Sequence, residues 1–164
     1  MEGLASLFSE DLVFIENAKT QEEIFTTIGK RLLNRGIVNE GFIEAIMERE
    51  ENYPTGLDLS PVSDEIPSAA IPHTEVEYCN SKHVVFIKLN NEIKFKNMIS
   101  PDNEILVKYL FMIINNDADN QTNVLSGLMS FMTNVERMKE LETLTTEKEI
   151  YEFLIKKTIE KGEN

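Results

Sequence analysis

The segment 105–114 (ILVKYLFMII) limits the fold more than any other stretch of the chain. A strand with one face in water alternates apolar and polar residues. This segment is too continuously apolar for that and reads as a central strand covered on both faces. Such a strand needs neighbours within a sheet and helices layered against it. Its most apolar part, 109–114, is far short of the roughly 20 residues that cross a bilayer, so direct membrane insertion is not expected.

The remaining chain supplies those neighbours. Residues 11–15 (DLVFI) read as a first strand. Thr20-Gln21-Glu22-Glu23 has the form of a capping box. It opens a helix that runs to about Asn34 on the stripe Ile24, Ile28 and Leu32, widened by Phe25 and Leu33 and ended by Gly36. Asn39 is expected to cap a second helix, with Phe42, Ile43, Ile46 and Met47 buried and Glu44, Glu48 and Glu50 toward solvent. The turn residues Tyr53-Pro54-Thr55-Gly56 break that helix, and 57–67 reads as an ordered loop.

A short buried strand at Ala69-Ala70-Ile71 follows. Residues 83–89 form another strand, and Asn90-Asn91 is expected to turn it as a hairpin onto Ile93-Lys94-Phe95. Ser100-Pro101-Asp102 is a break before the central strand. After the polar loop 115–119, a helix begins near Asp119 on Val124, Leu125, Leu128, Met129 and Met132. A short helix covers 135–141, and Thr145-Thr146 caps a last one bearing Ile150, Phe153, Leu154 and Ile159. Strands alternating with helices over 164 residues imply one domain, 1–164, of α/β layers.

The chain carries 29 acidic and 16 basic residues, for a net charge of -13, which opposes lasting contact with nucleic acid or anionic lipid and suits a partner with a basic docking face. The single cysteine, Cys79, permits no internal disulfide, and the N-terminal stretch lacks the pattern of a signal peptide. A cytoplasmic protein is expected.

One residue stands out chemically. Pro72 cannot donate a ladder hydrogen bond, so strand pairing should stop there and leave His73 at the strand's exit. A neutral imidazole offers one nitrogen lone pair, which serves a base, a metal ligand or a nucleophile toward phosphorus. From these residues alone, a hydrogen-bonded turn histidine explains the position equally well. Cys79 and His83 lie near it in sequence, but zinc would ask for closer ligand spacing and a fourth donor. His83 reads as opening a surface strand and Cys79 as a small loop or core residue. No metal and no cofactor is expected.

Ala70-Ile71-Pro72-His73 resembles the phosphohistidine motif of the fructose/mannitol-type IIA component (EIIA type 2) of the bacterial sugar phosphotransferase system. Arg49-Glu50 followed by Tyr53-Pro54-Thr55-Gly56 is most similar to the galactitol-type branch, and the order of elements agrees across nearly the whole chain. The resemblance implies an α/β fold with a mixed β-sheet of about five strands flanked by helices on both faces. It also implies a phosphotransferase: phosphorylated HPr donates to Nε2 of His73, with Nδ1 oriented by a neighbour. His73 then passes the group to a cysteine of a cognate IIB component, and the membrane IIC component takes up the sugar.

In mannitol-like relatives a second histidine follows the central strand, and the resemblance puts Gln121 at that place, as in galactitol-like members. A glutamine still donates an amide hydrogen bond but holds no charge. Arg49 matches an arginine upstream of the histidine, suited to clamp phosphoryl oxygens. Thr55 and Thr74 flank the implied pocket and offer hydroxyls. IIA-like domains also resemble parts of transcription regulators, in which phosphorylation of His73 would report sugar flux. The absence of a helix-turn-helix or basic extension favours the transport component. The sugar itself is chosen by the membrane component, and galactitol follows only from the branch.

Overall fold

The computed structural model describes residues 3–162. Its elements follow the chain as β1 (Val13–Glu16), α1 (Gln21–Asn34), α2 (Phe42–Asn52), β2 (Gly56–Leu57), β3 (Ser68–Ala70), β4 (His83–Lys96), β5 (Glu104–Ile114), α3 (Gln121–Met132), α4 (Val135–Glu142) and α5 (Glu147–Gly162). The five strands form one mixed sheet in the order β1-β4-β5-β3-β2. Strand β5 lies in the middle, antiparallel to β4 and parallel to β3, as its apolar run demands.

Two cores lie on opposite faces of that sheet. Tyr109, Phe111 and Ile113 of β5 join Val84 and Phe86 of β4 under α3, α4 and α5. The alternate residues Leu110, Met112 and Ile114 join Val85, Ile87 and Leu89 under α1 and α2. The period-2 alternation of side chains thus feeds two helical layers at once. Capping chemistry sets the helix starts: the Glu23 amide donates to Thr20 Oγ1 at 3.1 Å and the Glu149 amide to Thr146 Oγ1 at 3.2 Å. Among the described residues no helix is long and apolar enough to cross a membrane.

Three expectations from sequence give way to tertiary contacts. First, Asn90-Asn91 does not turn a hairpin. Residues 83–88 and 93–96 both pair with β5, with a register irregularity between Lys88 and Ile93. A two-residue hairpin turn favours positive φ at its central positions, and no described non-glycine residue has one. Instead the two asparagine side chains reach the loop after β1, Asn90 to Asn17 Oδ1 at 2.9 Å and Asn91 to the Ala18 carbonyl at 2.7 Å. The real hairpin turn is the Ser100-Pro101 segment, closed by the Asn97 amide on the Asn103 carbonyl at 2.9 Å.

Second, Asn39 does not cap α2 with its side chain. Its Nδ2 donates to the Glu77 carbonyl and its amide to the Tyr78 carbonyl, both at 3.0 Å, and Gly41 at φ 93° leads into the helix. Third, Glu50 is not in solvent: it is only 4% exposed.

The irregularity in β4 has its own use. Lys88 is buried there, and its Nζ donates to the carbonyls of Leu144, Glu142 and Leu141 at 2.7, 3.3 and 3.4 Å. Those carbonyls close the C-terminal end of α4, where backbone acceptors lack helical partners. Burial holds the Lys88 ammonium below its usual pKa.

Candidate functional site

The parallel pairing of β3 with β5 brings the exits of both strands to the same end of the sheet. His73 follows β3 by three residues and makes an isolated parallel bridge to Ile113. The Ile113 amide donates to the Pro72 carbonyl at 3.0 Å, the last rung before the ring. Proline ends regular pairing here because it has no hydrogen to give, although its carbonyl still accepts.

The His73 ring is oriented from within its own turn. Nδ1 lies 2.9 Å from the Ile71 carbonyl oxygen. A carbonyl can only accept, so Nδ1 carries the hydrogen and, in the neutral ring, Nε2 carries the lone pair. Burial is the main force holding the His73 pKa below its usual value; the Arg49 charge adds to that, while the Ile71 contact and Glu75 oppose it. The ring is therefore neutral at pH 7, in the tautomer a nucleophilic Nε2 requires.

Arg49 sits in the last turn of α2. Its Nη1 meets Glu75 Oε2 at 2.8 Å, and its guanidinium carbon lies 5.2 Å from the centre of the Tyr53 ring. Its Nε is buried and has no hydrogen-bond partner among the described residues. Beside it runs a groove of about 420 Å³ lined by Ala45, Glu48, Arg49, Asn52, Tyr53, Glu75 and Tyr78.

Gln121 is the first residue of α3, and its Oε1 accepts from Asn115 Nδ2 at 2.8 Å. Asn115 follows Ile113, the partner of His73, by two residues, which tethers Gln121 at the same end of the sheet. With its oxygen taken, the glutamine has its amide hydrogens to give.

The two threonines behave otherwise. Thr55 is 3% exposed and gives its hydroxyl hydrogen to Glu50 Oε1 at 2.7 Å. Thr74 gives its hydroxyl hydrogen to the Glu75 carbonyl at 2.9 Å. The Thr55 hydroxyl is thus engaged by α2 and the Thr74 hydroxyl by the backbone of the next residue. Cys79 packs in the core on the α1 and α2 side, and His83 opens β4 with its ring on the Ser81 hydroxyl at 2.9 Å.

Glu75 escaped the sequence reading, and Glu50 entered it only as part of a motif and as a solvent-facing residue. For Glu50 a signal existed, since it continues the four-residue spacing of the buried Phe42 and Ile46, but its charge argued for solvent. Desolvation pushes the Glu50 carboxyl up to about 7, against the opposing pull of its bonds to Thr55. Between pH 4.5 and 7 the native state therefore holds a proton that the unfolded chain has lost, so stability falls as pH rises. Glu50→Gln removes that titration. Its stability relative to wild type should rise by ~3 kcal/mol between pH 4 and pH 8 in urea unfolding; an unchanged difference would place the carboxyl near its ordinary pKa.

Comparison with known proteins places both the sequence and the fold. Residues 6–157 match the family model described as "Phosphoenolpyruvate-dependent sugar phosphotransferase system, EIIA 2". The galactitol-specific EIIA component of Escherichia coli K12 is 26% identical over 143 residues, covering 87% of this chain and 91% of that protein. The cryptic mannitol-specific enzyme IIA of Escherichia coli superimposes with a TM-score of 0.71 at 22% identity, over 94% of this chain and 99% of that one. The mannitol enzyme IIA of Escherichia coli, solved in complex with phosphorylated enzyme IIB, gives 0.69 at 22% identity over 90% and 98%.

Proposed function

This chain belongs to the EIIA 2 family of the phosphoenolpyruvate-dependent sugar phosphotransferase system, and on that premise we propose that His73 is its phosphoryl acceptor. The observation that carries the reading is the His73 Nδ1 contact with the Ile71 carbonyl at 2.9 Å, which leaves Nε2 as the nucleophile. The Nε2 lone pair attacks the phosphorus of phosphorylated HPr. The bond from phosphorus to the donor's histidine nitrogen breaks, and its electron pair returns to that ring. In the second transfer a thiolate of the cognate IIB component attacks the same phosphorus, and the electron pair of the breaking bond returns to Nε2. No proton has to move on His73 in either step, because Nδ1–H stays on the Ile71 carbonyl.

The groups around the ring suit the charge that arrives. Arg49 supplies a guanidinium with an unsatisfied buried Nε, and Gln121 supplies amide hydrogens without a second titrating ring. Thr55 and Thr74 serve the site through the turns they hold, since their hydroxyls are engaged by Glu50 and Glu75. A net charge of -13 suits basic docking faces on HPr and IIB. The E. coli relatives named for galactitol and for mannitol support a polyol as the sugar, with galactitol first, delivered through a membrane IIC component that this chain meets only by way of IIB. The whole chain works as one domain in the cytoplasm.

The test is transfer of labelled phosphate from phosphorylated HPr to the protein and its chase onto a galactitol-type IIB. Label that reaches the protein but never leaves it would remove the transport role. Gln121→Ala should slow acceptance by about a hundredfold, as loss of one transition-state donor does; an unchanged rate takes Gln121 out of the site.

A further inference from the structure

We propose that Glu50 is a positioning residue for His73, acting through Thr55 and Ile71 to fix which ring nitrogen is free. The carboxylate accepts from the Thr55 amide with Oε2 and from the Thr55 hydroxyl with Oε1, both at 2.7 Å. Thr55, held at those two points, accepts the Ile71 amide on its carbonyl at 3.2 Å. Ile71 in turn offers its own carbonyl to His73 Nδ1 at 2.9 Å. A continuous chain of hydrogen bonds thus runs from the end of α2 to the imidazole.

The turn it holds has no slack. Gly56, which follows Thr55, pairs with Ala70, and a Cβ there would lie 2.5 Å from the Lys96 carbonyl oxygen. Tightness of that kind limits the turn's position on the sheet side, and Glu50 limits it on the helix side. Together they fix the height of Ile71, and with it the oxygen that selects the tautomer.

A carboxylate is a costly choice for this place. Glu50 continues the stripe of Phe42 and Ile46, and none of the ion pairs among the described residues includes it. Ionised, it provides two acceptors for two donors of one residue; protonated, it presents one acceptor and one donor, as a glutamine does. A glutamine offers one acceptor and one donor, so it keeps the Thr55 amide and gives a hydrogen to the hydroxyl oxygen. An alanine leaves the buried amide without a partner.

The proposal rests on the reading of His73 as phosphoryl acceptor, whose attack on phosphorus needs the lone pair on Nε2. Nitrogen-15 shifts of the His73 ring in the unphosphorylated protein test it independently of transfer. The variants are Glu50→Ala, Glu50→Asp and Glu50→Gln, with Met138→Ala, buried in the opposite core, as a control of comparable stability loss. Wild type and Glu50→Gln should show Nδ1–H alone, while Glu50→Ala and Glu50→Asp show a mixture of tautomers. Their turnover number with phosphorylated HPr should fall by about tenfold with the Michaelis constant within about twofold, and Glu50→Gln should recover most of it. Should Glu50→Ala not fold, the retracted carboxylate of Glu50→Asp gives the same reading. Wild-type shifts in Glu50→Ala or Glu50→Asp overturn the proposal, and so does an equal tautomer shift in Met138→Ala. A wild-type protein that takes no label from HPr would sink the carrier reading while the ring shifts still decide the role of Glu50.

Discussion

His73→Ala is expected to take no label from phosphorylated HPr at any time point, while unfolding within about 1 kcal/mol of wild type. The first half follows from chemistry: alanine has no lone pair to offer phosphorus, so the loss is complete rather than graded. The second follows from position. His73 is half-buried at a strand exit and belongs to neither core, so its removal opens no cavity in the packed layers. The cost is the donor lost by the Ile71 carbonyl, a single neutral hydrogen bond of about 1 kcal/mol. Labelling assayed beside urea unfolding reads both halves. Label retained in the variant would move the acceptor elsewhere, and His83 is the other of the chain's two histidines. The surroundings of His83 argue against it: its ring is tied to Ser81, and the charges it feels come from Arg35 and Asp11.

Phe111→Ala should be the most damaging single truncation in the core, at roughly 4 kcal/mol. Phe111 lies on β5, fully buried, directly opposite Phe86, with ring centres 5.0 Å apart edge to face. It also meets Phe131 of α3 at 6.1 Å, and Phe131 meets Phe153 of α5 at 6.3 Å. The row ties the central strand to two helices, so a void at Phe111 strips contacts from all three. Such a loss lowers the melting temperature by on the order of 10 °C. Because the damage is in packing, phosphate acceptance well below the melting point should stay near wild type. A stability loss below about 1 kcal/mol would mean that the helices close over the void.

Much of the layered fold was legible because its causes are local or periodic. The run at 105–114 demanded cover on both faces and received it. Thr20 and Thr146 announced their helices with the groups that satisfy the first amides. His73 was legible as a residue at a strand exit because Pro72 has no amide hydrogen, whatever surrounds it.

What failed was judged by residue type where a distant partner decided. Asn90 and Asn91 have the chemistry of a turn, but the loop after β1 offers acceptors for both, and β5 is long enough to pair on either side of them. Glu50 has the chemistry of a surface residue, but Thr55 presents two donors to it inside the protein.

The chain by itself determined the two-faced central strand, the helix starts at Thr20 and Thr146 and the place where an imidazole leaves the sheet, since each depends on backbone chemistry and spacing over a few residues. Only the tertiary structure decided which acceptor holds Nδ1 of that imidazole, which carboxylate is buried behind it and which acid Arg49 pairs with. Those outcomes depend on how the turns are set against one another, because a donor's choice among acceptors is settled by distance in the folded state.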